Sequence, residues 1–352
     1  MNSHDRILTT LKKGIPDRIG NHEHVWGETE RLWHKQGLPD NTNSTAYFDL
    51  DFRHINADLS LQLPAQKIEE TDEYIIERNA NGVTLKRHKT ESGHTPHWID
   101  HTIKTRKDWL ELKPRWVAKK DRIPANMKET FAAHRKAEKF ICMTLAEPYE
   151  ACWPILGQVG IFTAMLDEPG FVSDMFNTYT DLAIAMFDLM IQEGLDFDGA
   201  WFWGDVGYRN ATLFSPKIYE EMLWPCHKRL CDKLKSLGKV SILHSCGKIE
   251  VLIPRFIEAG FDAIQPLEAK VGQDVRVLKK RFGNAITFFG NMDVRKLSGT
   301  RKDVEEEVLG KLQVAMAGGG YIFHSDHSVP PTVSFENYKY ALELVRTHGV
   351  YR

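Results

Sequence analysis

His244 and Cys246 stand two residues apart, directly after the apolar run Val240-Ser-Ile-Leu243. In an extended backbone residues i and i+2 project to the same face, so this imidazole and this thiol converge on one point. Zinc accepts such a mixed nitrogen–sulfur pair, and Gly247 then frees the chain to turn. A plainer reading stands beside it: a buried thiol next to a strand-end histidine, since free cysteine commonly packs as a small hydrophobe. Other carboxylates and imidazoles fall where further short apolar runs end: His22, Glu23 and His24, then Glu147, Asp205, Glu268, Asn291 and Asp293, and finally His324, Asp326 and His327. Trp26, Trp33, Trp153, Trp201 and Trp203 sit in polar company, which suits a pocket wall as well as a core. A tryptophan face stacks on an aromatic ring or attracts a quaternary amine.

The elements that must position these residues alternate along the chain. Strand-like runs are Phe140–Thr144, Gly199–Trp203, Lys239–His244, Ala263–Pro266, Ile286–Gly290 and Gly320–His324. Helical patterns fall near 157–167, 169–194, 249–259, 273–282, 301–317 and 334–347, and another opens at Ser215-Pro216 and should bend at Pro225. Thr300 and Asp303 have capping-box spacing. Phe140–Thr144 is expected to lead through a polar loop into the helix near 157. Such βα alternation predicts a parallel sheet, with the active site at the strand carboxyl ends. Residues 45–135 break the rhythm. Tyr74-Ile-Ile-Glu77 and Val83-Thr-Leu-Lys86 flank Asn79-Ala-Asn-Gly82, a hairpin signal. Histidines, prolines and charges follow around 88–101. The expected architecture is α/β, a distorted (β/α)8 TIM barrel of one domain over 1–352, with 45–135 a partly inserted β-meander cap.

Composition narrows the function. The chain has 352 residues, 42% hydrophobic and 27% charged, with a net charge of −2. No global basic field exists to attract nucleic acid, and no apolar stretch reaches membrane-spanning length. Five scattered cysteines do not read as a disulfide framework. The first residues lack the apolar core of a signal peptide, so a cytoplasmic location is expected.

Several stretches carry a resemblance: Gly14-Ile-Pro-Asp-Arg18, Gly204-Asp-Val-Gly-Tyr208 leading to Leu213-Phe-Ser-Pro216, His244-Ser-Cys-Gly247, Gly260–Glu268, Phe289-Gly-Asn-Met-Asp293 and Gly318–His324. The chain resembles the uroporphyrinogen decarboxylase superfamily over nearly its whole length, and within it the cobalamin-linked methyltransferases. True decarboxylases of this family carry an arginine-rich N-terminal segment. Asn21–Glu28 has no arginine, and Glu23 and Glu28 would repel a polycarboxylate tetrapyrrole. The thiol-methylating branch adds a distant cysteine to His-x-Cys. Here no cysteine follows Cys246, and Asp326 is the nearest positional match, with His324, His327 and Glu147 as substitutes. A carboxylate in place of a thiolate leaves zinc a stronger Lewis acid, suited to a methoxy or phenolate oxygen.

The resemblance therefore implies a zinc-dependent, corrinoid-linked methyltransferase acting on a small methylated compound, with O-demethylation of a methoxy-aromatic as one such reaction. Zinc would be held by His244, Cys246 and Asp326. Glu147 and Asp205 would orient substrate or handle a proton, and His24, Trp153, Trp203 and Asn291 would bind it. No second domain for cobalamin is visible, so the corrinoid would come free or on a partner protein; a homodimer is a compatible assembly. The alternatives are a metal-independent decarboxylase or lyase on a small carboxylic acid, and a non-catalytic small-molecule binding protein.

Overall fold

The computed structural model describes residues 1–89 and 96–352. Part of the polar stretch around 88–101 therefore lies outside the described residues. The strands, in chain order, are β1 (Gly20–Asn21), β2 (Phe52–Ile55), β3 (Gln66–Glu70), β4 (Tyr74–Arg78), β5 (Thr84–His88), β6 (His97–Asp100), β7 (Phe140–Ala146), β8 (Gly199–Trp203), β9 (Val240–His244), β10 (Ala263–Gln265), β11 (Thr287–Phe289) and β12 (Tyr321–Phe323). Eight of them form one sheet in the order β1-β12-β11-β10-β9-β8-β7-β2, with every pair parallel. Its edges meet without a regular ladder. Asp51 N–H donates to the Asn21 carbonyl at 3.1 Å, and the Asp51 carboxylate accepts Asn21 N–H at 2.8 Å. The same wholly buried carboxylate accepts from Ser3 Oγ and Arg6 Nη1, and so ties the N-terminal helix to the seam. The fold is the expected (β/α)8 barrel, nearly closed.

Strand parity fills the barrel. Phe140 and Cys142 of β7, Trp201 of β8, Val240 and Ile242 of β9, Ala263, Phe289 and Ile322 all point inward. Ile7 and Leu11, one helical turn apart on the helix Ser3–Leu11, plug the amino end. Their alternates, such as Ile141, Met143, Ala200, Phe202, Ile264 and Phe288, pack outward beneath the helices. Trp201, in the barrel interior, and Trp33, in the helix Gly27–Lys35, are both buried core residues. Two residues further along each strand, the same parity brings His54, Thr144, Trp203, His244, Gln265 and His324 to the mouth. Polar side chains are tolerated there because they face one another and the opening.

The structure refines three sequence expectations. Phe52–Ile55 falls within the expected insert, yet it pairs with β7 as a barrel strand; the separate antiparallel sheet, β3-β4-β5-β6, occupies only Gln66–Asp100. Only the two end residues of β2 are buried, too few for a visible apolar run. The loop expected after β7 is a helix, Pro148–Leu156, with Glu147 as its cap and Pro148 in its first turn; the internal Pro154 disguised it. Immediately before Pro225, where a bend was expected, the helix widens into a π-helical turn over Tyr219–Leu223, and the helix Trp224–Ser236 follows. The hairpin with its Asn79–Gly82 turn is present as β4-β5, and the Thr300–Asp303 capping box forms. Among the described residues no helix is long and apolar enough to cross a membrane.

Candidate metal centre and substrate cleft

At the end of β9, His244 Nε2 lies 3.6 Å from Cys246 Sγ and 3.5 Å from Asp205 Oδ1. Zinc bonds of about 2.0–2.1 Å to nitrogen or oxygen and about 2.3 Å to sulfur, at a tetrahedral angle, require about 3.6 Å between N and S and about 3.4 Å between N and O. Both His244 separations match those a single zinc ion requires, and all three ligand atoms lie within 4.8 Å of one another. Gly247 makes the approach feasible. Its φ is +81°, and a Cβ there would meet the Gly207 backbone at 2.3 Å. Asp205 follows β8 and accepts Cys246 N–H at 2.9 Å, which locks the two strand ends together.

The charges around this point are unusual. Burial pulls the His244 pKa down, but the hydrogen bond and charge of Asp205, helped by Gln265 and Glu268, leave it above the ordinary value. Burial raises the Asp205 pKa, yet bonding to His244 and Cys246 leaves it low. Burial, then Asp205 and Glu268, hold the Cys246 thiol well above its usual range. A divalent cation bound at these donors would expel the thiol proton. Cys246 also belongs to a second group with Glu268 and His327, whose ligand atoms lie within 4.8 Å of one another. There Glu268 is already paired with Lys270 Nζ at 2.8 Å and accepts Gly247 N–H.

Asp326 stands outside both groups. Its oxygens accept Ala269 N–H and Val294 N–H, each at 2.9 Å, which stitches two loops together. Asn291 is likewise engaged. Its side chain donates to the carbonyls of Leu267 and Gln273 and accepts Val275 N–H. Glu147 is wholly buried behind the cleft wall, where it caps Pro148–Leu156 through Tyr149 N–H and Glu150 N–H and meets His227 Nε2 at 3.2 Å. Glu23 turns inward to accept from Ser325, His24 N–H and Tyr338, so it does not face a substrate as expected. His24 is at the rim and bonds Ser328 Oγ at 2.8 Å; after burial, the nearness of His244 and His327 lowers its pKa.

Beside the donor set opens a cleft of about 700 Å³ between the barrel mouth, the helix Pro148–Leu156 and the inserted sheet. Trp153 and Trp203 line it together with Trp98 of β6, which meets Trp153 edge-on at 5.0 Å. Glu150 and Asp205 face the same space, and no lysine or arginine lines it among the described residues. Burial and the adjacent Asp205 push Glu150 up to about 8, so its carboxyl holds a proton at neutral pH. Sequence reading missed Glu150, Trp98 and Gln265. Gln265 was accessible in principle, because it pairs in register with His244 on the neighbouring strand. Trp98 and Glu150 carried no such signal, since each belongs to an element whose placement the sequence left open.

The sequence matches the description of the Uroporphyrinogen decarboxylase (URO-D) family over residues 75–348. It is 26% identical over 162 residues to the methylcobamide:CoM methyltransferase MtaA of Methanosarcina barkeri, an overlap of 46% of this chain and 44% of that protein. It is 25% identical over 190 residues to the uroporphyrinogen decarboxylase of Helicobacter pylori, 51% of this chain and 50% of that one. The chain thus spans about half the length of the curated relatives it matches. A solved methyltransferase from Methanosarcina mazei has the same fold, with a TM-score of 0.67 at 16% identity over 99% of both chains.

Proposed function

The chain belongs to the uroporphyrinogen decarboxylase family, and from that premise we propose that it is a zinc-dependent methyltransferase that moves a methyl group between a methoxylated aromatic compound and a corrinoid on a partner protein. We place the whole chain in one domain, with the sheet inserted within 45–135 as the cap of its cleft. The observation that carries the reading is the donor set His244 Nε2, Cys246 Sγ and Asp205 Oδ1, whose separations suit tetrahedral zinc beside an aromatic-walled cleft. Asp205 replaces Asp326 as third ligand in this proposal, because Asp205 Oδ1 lies 3.5 Å from His244 Nε2 whereas Asp326 belongs to neither donor group.

When bound, zinc supplies a Lewis acid for the departing oxygen, and the corrinoid supplies the methyl acceptor. The chain's own residues do the rest. Trp98, Trp153 and Trp203 offer faces and edges to an aromatic ring. Glu150 holds a proton over the cleft, in reach of an oxygen that leaves as a phenolate. The Asp205 carboxylate, on a lining with no lysine or arginine among the described residues, disfavours a polycarboxylate substrate. This argument replaces the one from Glu23, which is buried.

Metal analysis of protein purified without chelators tests the centre: one zinc per chain is expected, falling with Cys246→Ala. Methylation of cob(I)alamin by a methoxybenzoate, followed by absorbance, tests the reaction. Zinc-free protein that decarboxylates a small acid would favour the lyase alternative. Binding without turnover would favour a non-catalytic role.

A further inference from the structure

His244 Nδ1 faces Gln265 Oε1, on the side of the ring away from Cys246 and Asp205. Gln265 Nε2 in turn lies 3.1 Å from His324 Nε2, and His324 Nδ1 lies 2.6 Å from the Ser325 carbonyl. Glu23 Oε1 also lies 3.3 Å from His324 Nε2, and burial pushes that carboxyl up to about 8, so as a neutral acid it too meets a lone pair there. A backbone carbonyl can only accept, so His324 carries its proton on Nδ1 and presents a lone pair at Nε2. Burial, the leading influence, drives the His324 pKa down to about 3, so the ring stays neutral and Nε2 stays an acceptor. The Gln265 amide must then donate through Nε2 and accept through Oε1. Neutral His244 then carries its proton on Nδ1, with the Nε2 lone pair facing Cys246 and Asp205. All three side chains are at least three-quarters buried, and Gln265 and His324 are almost wholly so.

We propose that Gln265, held in one orientation by His324 and the Ser325 carbonyl, is the positioning residue that fixes the tautomer of His244 and keeps its Nε2 open to a cation. The inference rests on the metal centre proposed above. Its physical content is a competition for one proton. Asp205 Oδ1, 3.5 Å from Nε2, would accept that proton and close the lone pair. Gln265 Oε1 draws it to the opposite nitrogen instead. A histidine ligand is oriented in this way when its second nitrogen donates to an outer partner, and loss of such a partner costs about 10–100-fold in metal affinity.

The test uses the full chain with ring-15N-labelled histidine and three forms: wild type, Gln265→Met and Gln265→Glu. Methionine fills similar space and accepts the Nδ1 proton poorly. Glutamate still accepts it. Long-range 15N–1H correlation spectra of the zinc-free protein at alkaline pH report which His244 nitrogen is protonated. Competition with a chromophoric chelator reports zinc affinity. The expected result is Nδ1–H in wild type and Gln265→Glu, a shift toward Nε2–H in Gln265→Met, and about 10–100-fold weaker zinc binding in Gln265→Met alone. Thermal melts near the wild-type value would show that the loss is local. Wild-type His244 protonated on Nε2, or Gln265→Met matching wild type in both tautomer and affinity, overturns the proposal. A Gln265-dependent Nδ1–H in a protein that takes up no zinc supports the proton assignment and overturns the zinc reading, so the two failures are distinguishable.

Discussion

Replacing Glu147 separates a structural role from a chemical one. Its carboxylate accepts Tyr149 N–H at 3.0 Å and Glu150 N–H at 2.7 Å, and meets His227 Nε2 at 3.2 Å, with both side chains fully buried. Glu147→Ala removes a helix cap, about 0.5–2 kcal/mol. It also leaves a buried His227 nitrogen without a partner, about 1–3 kcal/mol. The total is about 2–5 kcal/mol. For 352 residues the unfolding entropy is about 0.7 kcal/mol/K, so Tm should fall by roughly 3–7 °C. Glu147→Gln keeps one oxygen for the cap and places an amide N–H toward His227, and should cost about half as much. Circular-dichroism melts give the stability, and zinc content with methyl transfer at 20 °C below Tm, roughly, gives the function. Because Glu147 sits behind the cleft wall, Glu147→Gln should keep its zinc and lose no more than about threefold in rate, which is about 0.7 kcal/mol of barrier. A Glu147→Gln protein with unchanged Tm and no activity would refute this reasoning and return Glu147 to the chemistry.

Asp205→Asn should lower zinc content markedly, whereas Asp326→Asn should lower Tm while zinc content stays near wild type; elemental analysis of both variants decides, and the reverse pattern would restore Asp326 as the ligand. Zinc affinity should strengthen about tenfold per pH unit as pH rises from neutral, because the raised Cys246 thiol must lose a proton to bind; a chelator titration that is flat with pH would remove Cys246 from the centre. The Glu150 carboxyl, pushed up to about 8, is protonated below that pH and loses its proton above it. Methyl transfer should therefore decline as pH rises past about 8, and Glu150→Gln should be slower and lack that limb; an unchanged alkaline limb in Glu150→Gln would assign it to another group. Trp98→Ala should raise KM for a methoxybenzoate by about tenfold, or about 1.4 kcal/mol, through the lost aromatic contact, and an unchanged KM would place the ring elsewhere.

The barrel was legible because strands buried on both faces must read as short apolar runs, and amphipathic helices must alternate with them. Gly199–Trp203 was delimited by its apolar composition alone, and the β4-β5 hairpin by its Asn-Gly turn. His244 and Cys246 were legible for a local reason: donors two residues apart at a strand end share a face, whatever the rest of the chain does. The third donor was not local. Asp205 and Asp326 both follow barrel strands and look alike in sequence. Which carboxylate reaches the His244–Cys246 pair depends on which amides hold it: Cys246 N–H holds Asp205 at the pair, whereas Ala269 and Val294 N–H hold Asp326 outside it. Glu147 and Glu150 lie three residues apart, yet the start of one helix turns the first into a buried cap and the second into the cleft. Sequence by itself determined the periodicities, the strand-end donors and the absence of a basic field, because these are properties of neighbours along the chain. Tertiary structure alone decided which carboxylate reaches the His244–Cys246 pair, which tryptophans meet, and which side chain faces His244 Nδ1, because each depends on atoms brought together from distant strands.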